Sequence, residues 1–234
     1  MAEQQQKKKG VVDMVFLIDA TGSMQGLIDG LKNNISTFID FLTTKSGNNP
    51  SPVKDWRAKV AGFRDFEQDT KPFEDNPFVT DAAELKRQLT ALVADGGGDD
   101  PESLLDALYK VATMGETAKE SEPDPVRWRY RHSAARVIVA FTDAEFKPAM
   151  AIAEAKGGGV GDVANALMGN RILLSLFAPD RPCYSALAEI DKVEYLPVGQ
   201  DVGLAKFTED QANFQETLKQ LAKSVSASAD TPVL

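Results

Sequence analysis

The chain has 234 residues, 43 % of them hydrophobic and 26 % charged, a composition that excludes a disordered, fibrous or membrane-embedded protein and fits one soluble domain with insertions. A net charge of −9 and a pI near 4.8 repel phosphate backbones and anionic lipid, so neither nucleic acid nor a membrane is expected as a partner, whereas a cation suits the field. The single cysteine, Cys183, excludes an intrachain disulfide, and the expected compartment is the cytoplasm.

Residues 1–10 are polar and read as a flexible start. The apolar run 11–18, interrupted by Asp13 and stopped by Asp19, is too short for a signal segment or a membrane span. It reads instead as a buried strand feeding a Thr-Gly-Ser turn. Met24, Leu27, Ile28, Leu31, Ile35, Phe38, Ile39 and Leu42 then recur at helical spacing, and a polar cluster at 45–50 ends the helix. A second strand is expected at 56–63, followed by a long acidic loop to Val79 that Phe66, Phe73 and Phe78 pin to the core. Thr80-Asp81 is expected to cap a helix carrying Leu85, Leu89 and Leu92. Another helix opens at Asp100-Pro101-Glu102, with Asp100 as its N-cap and Pro101 as its first residue.

Residues 115–133 are polar, contain Pro123 and Pro125, and read as an inserted surface loop. Its basic and aromatic run, 127–131, is expected to be an edge hairpin with aromatics packed down and arginines in water, or a protein contact. The VIVAFT run at 137–142 is a third strand ending at Asp143. A short helix from Pro148, a break at the three glycines 157–159 and a further turn of helix at 162–168 follow. Strands at 172–177 and 193–198 and an amphipathic helix carrying Phe214, Leu218, Leu221, Ala222 and Val225 complete the pattern. Strands that alternate with helices and are apolar without a period of two imply a mostly parallel sheet covered on both faces. The expected fold class is therefore α/β, doubly wound and Rossmann-like, as one domain over 11–226 with a flexible end at 227–234.

In such sheets ligands bind outside the carboxyl ends of the strands, where strand order reverses. Asp19, Arg64-Asp65 and Asp143 each end a strand, and Thr21 and Ser23 add hydroxyls at alternate positions beside Asp19. Converging carboxylates repel unless a cation lies among them, and a hard cation such as Mg²⁺ takes this kind of oxygen set. In the run GGGDDPE, with Asp100 assigned to the cap, Asp99 is left as the acid free to reach that edge. Asp65 reads as an ion-pair partner of Arg64 behind the site. His132 reads as solvated and Cys183 as a half-buried thiol.

These residues carry a resemblance. DATGS before an amphipathic helix, GGGDDPE, and an acid ending the VIVAFT strand resemble the metal-ion-dependent adhesion site of von Willebrand factor A (vWA) domains, over essentially residues 11–226. The order GFRDF, PFVTD, GGGDDPE is most similar to the branch attached to alpha-kinases and found in related prokaryotic proteins. The resemblance implies a site for Mg²⁺, or Mn²⁺ or Ca²⁺, at Asp19, Thr21, Ser23, Asp99 and Asp143, with Arg64 and Asp65 behind it. It further implies a protein partner whose acidic residue completes the metal shell, a coupled shift of the last helix, membership of a multi-protein system and no catalysis. Where the wider family has a threonine this chain has Asp99, which adds charge and weakens the metal as a Lewis acid toward a partner's carboxylate. Two rival readings are a Mg²⁺-dependent phosphohydrolase and a scaffold with a purely structural metal. Against the first, DATGS lacks the second acid of a DxD pair and no lysine sits in a glycine-rich phosphate loop.

Overall fold

The computed structural model describes residues 10–44, 53–97, 100–198 and 211–230. Six strands form one sheet: β1 (Val11–Asp19), β2 (Asp55–Phe63), β3 (Phe73–Asp75), β4 (Ala135–Phe141), β5 (Ile172–Pro179) and β6 (Val193–Val198). Their order is β3-β2-β1-β4-β5-β6, parallel throughout except for the antiparallel β3. The helices are α1 (Gln25–Thr43), α2 (Ala82–Ala91), α3 (Leu104–Ala112), α4 (Val160–Gly169), α5 (Ser185–Ala188) and α6 (Gln211–Asp230). This is the doubly wound α/β class expected from the alternation of strands and helices.

The sheet divides the core in two, which explains why β1 shows no polar alternation. Val12, Met14, Phe16 and Ile18 face a layer of α1, α2 and α6, where Leu27, Phe38, Leu89, Phe214 and Leu221 pack. Val15 and Leu17 face the opposite layer of α3, α4 and α5, with Leu104, Leu108, Val163 and Leu187. With both faces buried, side chains of both faces are apolar apart from the ion-paired Asp13 and the terminal Asp19, and each large apolar side chain contributes roughly 1.5–3 kcal/mol. Phe16 meets Phe38 edge-on at 5.6 Å, fixing α1 against the central strand. Among the described residues no helix is long and apolar enough to cross a membrane.

Four expectations need correction. The acidic loop after β2 contains the short strand β3, with Phe73 paired to Phe63. Asp100 does not cap α3: the helix begins at Leu104, and Asp100 Oδ1 instead accepts a hydrogen bond from the Glu145 backbone at 2.9 Å. No α-helix starts at Pro148; that stretch is irregular up to one 3₁₀ turn at Ala153–Ala155, held because buried Asp106 accepts the Ala151 and Ile152 amides. The last helix runs through 227 to Asp230, with Ala229 buried and its carbonyl accepting the Gly10 amide, so the domain's packing extends past 226.

The 115–133 segment is also more than a surface loop. Trp128 is 1 % exposed, lies tilted against Phe78 with ring centroids 5.5 Å apart and donates its indole N–H to the Val111 carbonyl. Its arginines are not all in water. Arg129 donates its backbone N–H to Asp13 and pairs with Asp55, while Arg131 and the strand residue Arg136 share Glu116. Asp13, fully buried on β1, also holds Arg57 in a two-point pair at 2.9 and 2.8 Å. Only Arg127 of the three loop arginines is mainly solvated.

Candidate metal centre

Asp19 sits where strand order reverses, because β1 continues to β2 on one side and to β4 on the other. Its carboxylate is fully buried, and each oxygen has a partner. Oδ1 accepts from the Thr21 amide at 3.0 Å and the Thr21 hydroxyl at 2.7 Å; Oδ2 accepts from the Thr142 hydroxyl at 2.8 Å. Across the opening, Ser23 Oγ donates to Asp143 Oδ1 at 3.0 Å and lies 3.5 Å from Thr21 Oγ1. The β1 and β4 ends thus bring Asp19, Thr21, Ser23 and Asp143 into one chain of oxygens. Asp99 lies outside the described residues.

An open cleft of about 440 Å³ stands over these groups, lined by Thr21, Ser23, Gly96, Gly97, Asp100, Glu102 and Asp143 among others. Glu102 is a residue the sequence reading passed over. It is 5 % exposed, and its Oε2 is buried with no hydrogen-bond partner. Its backbone pairs with the loop that follows Asp143: the Glu102 amide donates to the Glu145 carbonyl and the Lys147 amide to the Glu102 carbonyl. Gly97 has φ of +73°, and a Cβ there would lie 2.6 Å from Thr21 Cγ2 and 2.9 Å from Glu102 Oε1. Only glycine lets the backbone pass this close to both oxygen donors.

The carboxyls around the cleft are short of positive charge. Burial pushes Asp19 up to about 6, against the lowering effect of the Thr21 and Thr142 hydrogen bonds. Glu102 rises to about 8 through burial and then through the charges of Asp19, Asp65 and Asp69. Asp143 is also raised, mainly by burial. Among the described residues no basic side chain lines the cleft. No set of three or more Asp, Glu, His or Cys side chains is gathered there as a ready-made ligand cage either; hydroxyls stand between the acids. Oxygen donors of mixed charge, with one carboxylate oxygen unpartnered, fit a hard divalent cation better than a soft one.

Asp65 does not pair with Arg64. Consecutive residues leaving β2 point to opposite sides. Arg64 goes to Glu74 and to the Val93 and Asp95 carbonyls, whereas Asp65 accepts from Lys147 Nζ on both oxygens and from the Glu67 amide on Oδ1, each at 2.8 Å. Burial would raise Asp65, but Lys147 and the Glu67 amide hold it below its ordinary value. Ser103 Oγ, 3.4 Å from Asp65, accepts the Phe66 amide, so this ion pair braces the backbone next to Glu102. At the opposite pole a second cleft of about 420 Å³ is lined by Asp55, Lys119, Glu122, Arg129, Tyr130 and His132. His132 lies 5.4 Å from the Tyr130 ring, and half-buried Cys183 has its thiol pushed up by burial, so it is not a poised thiolate.

No protein-family model matches the sequence, and no curated protein matches it. Solved structures do. Proximal thread matrix protein 1 from the mussel byssus, in its second crystal form, superposes with a TM-score of 0.55 at 14 % identity, covering 92 % of this chain and 46 % of that one. The same protein described with a zinc-occupied MIDAS motif gives 0.56 at 13 % identity, covering 96 % and 49 %. The chain therefore spans about half the length of the structures it matches. At this identity the likeness shows the fold alone, the Rossmann-like fold of the vWA class.

Proposed function

We propose that the chain is a non-catalytic interaction module that holds one divalent cation, Mg²⁺ or else Mn²⁺ or Ca²⁺, at the carboxyl edge of β1 and β4 and engages a protein partner there. Asp19, Thr21, Ser23 and Asp143, the residues matching the adhesion-site pattern, would hold the ion, with Asp99 as a further acid. Glu102 joins them in this reading. The observation that carries it is the buried Glu102 Oε2 without a hydrogen-bond partner, on a side chain that lines the same cleft as Thr21, Ser23 and Asp143, beside carboxyls whose affinity for protons is raised by burial and which, among the described residues, no basic side chain of the cleft lining offsets. The zinc-occupied MIDAS motif of the mussel protein supports a divalent ion at this edge of the fold.

A bound ion would supply a Lewis-acidic centre with open positions for a partner's oxygen. The chain's own residues do the rest. Asp19 is fixed by three hydrogen bonds, Ser23 ties Asp143 to the start of α1, and the Glu102–Phe146 bridge locks the two acid-bearing loops together. The same scaffold would serve in a multi-protein system of the cytoplasm, in the branch that resembles alpha-kinase-associated vWA proteins. Thermal melts with and without MgCl₂ test the reading. The metal should raise the melting temperature of the full chain, and Asp19→Ala and Ser23→Ala should abolish the shift. Capture of partners should fall with the same substitutions and with EDTA. Loss of the shift with unchanged capture would instead make the metal purely structural.

A further inference from the structure

The charge at the cleft's mouth bears on what kind of partner can dock. Asp100, Glu102 and Asp143 line the cleft above buried Asp19, and a divalent ion offsets only two of these four carboxylates. Glu145, next to the opening, adds another. Among the described residues a cation at this rim, Arg181, is already shared between Glu145 Oε1 at 3.2 Å and Asp100 Oδ2 at 3.8 Å. Helix α1 starts at the cleft, and its N-terminus brings about half a positive charge, too little to reverse the balance. Glu102 Oε2, buried and unpartnered, marks where an ion is wanted. Even with that ion in place the surface that a partner meets stays negative.

We propose, resting on the metal-site reading above, that the docking segment is a basic peptide. Its lysine or arginine side chains face Asp100 and Glu145, and it offers the ion a neutral oxygen, an amide, hydroxyl or backbone carbonyl, rather than a carboxylate. An entering carboxylate would meet excess negative charge in a partly desolvated cleft, where like charges juxtaposed are strongly disfavoured. Two features of the rim suit a cationic side chain. Asp100 is 48 % exposed with Oδ1 anchored to the Glu145 amide, and Glu145 is 43 % exposed, so both carboxylates are held in place yet open to solvent.

The test uses the full chain with saturating Mg²⁺ and two labelled peptides, one with an asparagine between lysine pairs and one with an aspartate between glycines. Fluorescence anisotropy should show the lysine peptide binding at least about ten-fold more tightly, with affinity falling as salt rises. Asp100→Asn, which keeps the acceptor for Glu145, should weaken the lysine peptide about five-fold. Glu122→Gln removes one charge at the opposite pole and should change it less than about two-fold. Tighter capture of the aspartate peptide, or equal losses in Asp100→Asn and Glu122→Gln, would overturn the proposal, the second by reducing it to net charge. Calorimetric titration of Mg²⁺ without peptide reads the metal site separately: no binding there would fail the metal reading, whereas Mg²⁺ binding together with preference for aspartate would sink the basic-partner inference alone.

Discussion

Gly97→Ala is a compact probe of how the cleft is built. At φ of +73° an alanine costs roughly 1–2 kcal/mol for the left-handed backbone. Its Cβ would also lie 2.6 and 2.8 Å from Thr21 Cγ2 and Cβ and 2.9 Å from Glu102 Oε1, an overpacking that costs about 1–3 kcal/mol more. Together this is about 3 kcal/mol, a fall of roughly 6–12 °C in melting temperature for a domain of this size. The clash must push Thr21 and Glu102 apart, so Mg²⁺ affinity should also drop about ten-fold or more, as when ligand-supporting residues are lost. Gly22→Ala is the matched control: a Cβ there has nothing within 4 Å and the backbone is not left-handed, so its stability should stay close to wild type. Calorimetric melts and Mg²⁺ titrations of the two variants measure both effects. If Gly97→Ala behaves like Gly22→Ala, the close approach of this loop to the oxygen donors is wrong.

Asp13→Ala should destabilise the protein by about 3–5 kcal/mol, because it strands the buried Arg57 guanidinium and the Arg129 amide. Mg²⁺ affinity should be unaffected, since Asp13 lies at the other end of β1 from Asp19; denaturant melts and metal titration of one preparation check both. The Lys147–Asp65 pair gives a pH prediction. With Asp65 held below its ordinary value, the pair's stabilisation is present above the unfolded-chain value near 4 and is lost as pH falls through the lower folded value. Lys147→Met removes the cause, so its urea midpoint should be lower than wild type at neutral pH and the gap should close in acid. Cys183, whose thiol is raised by burial, should react with iodoacetamide at pH near 8 more slowly than free cysteine, and urea should abolish the difference.

The layout of strands and helices was legible because β1, β4 and β5 are largely buried on both faces and are predominantly apolar without a period of two, while α1 and α6 each show an apolar stripe. Asp19, Thr21, Ser23 and Asp143 could be selected because each lies at or just past the carboxyl end of a strand of such a sheet. Glu102 could not be read the same way. Behind Asp100-Pro101 it looks like an ordinary first-turn acid, and what brings it to the cleft is its backbone pairing with Phe146 and Lys147, far along the chain. Asp65 and Lys147 are 82 residues apart, beyond any local pattern, so neighbouring Arg64 was the natural but wrong partner. In the 115–133 segment the expected inward packing of the 127–131 aromatics holds for Trp128, too large and apolar for a solvated loop, whereas Arg129 is held by Asp13 and Asp55, too far along the chain for a local pattern to show. The strand β3 has only three residues and no periodicity to detect.

Whether the carboxyl edge of β1 and β4 holds a divalent cation is decided by calorimetric titration of MgCl₂ into the full chain, its Asp19→Asn variant and its Glu102→Gln variant. The wild type should show one saturable site per chain, Asp19→Asn none and Glu102→Gln a weakened one, with all three proteins folded by circular dichroism. No binding to the wild type by Mg²⁺, Mn²⁺ or Ca²⁺, or binding that is the same in all three proteins, would contradict a cation site at this edge.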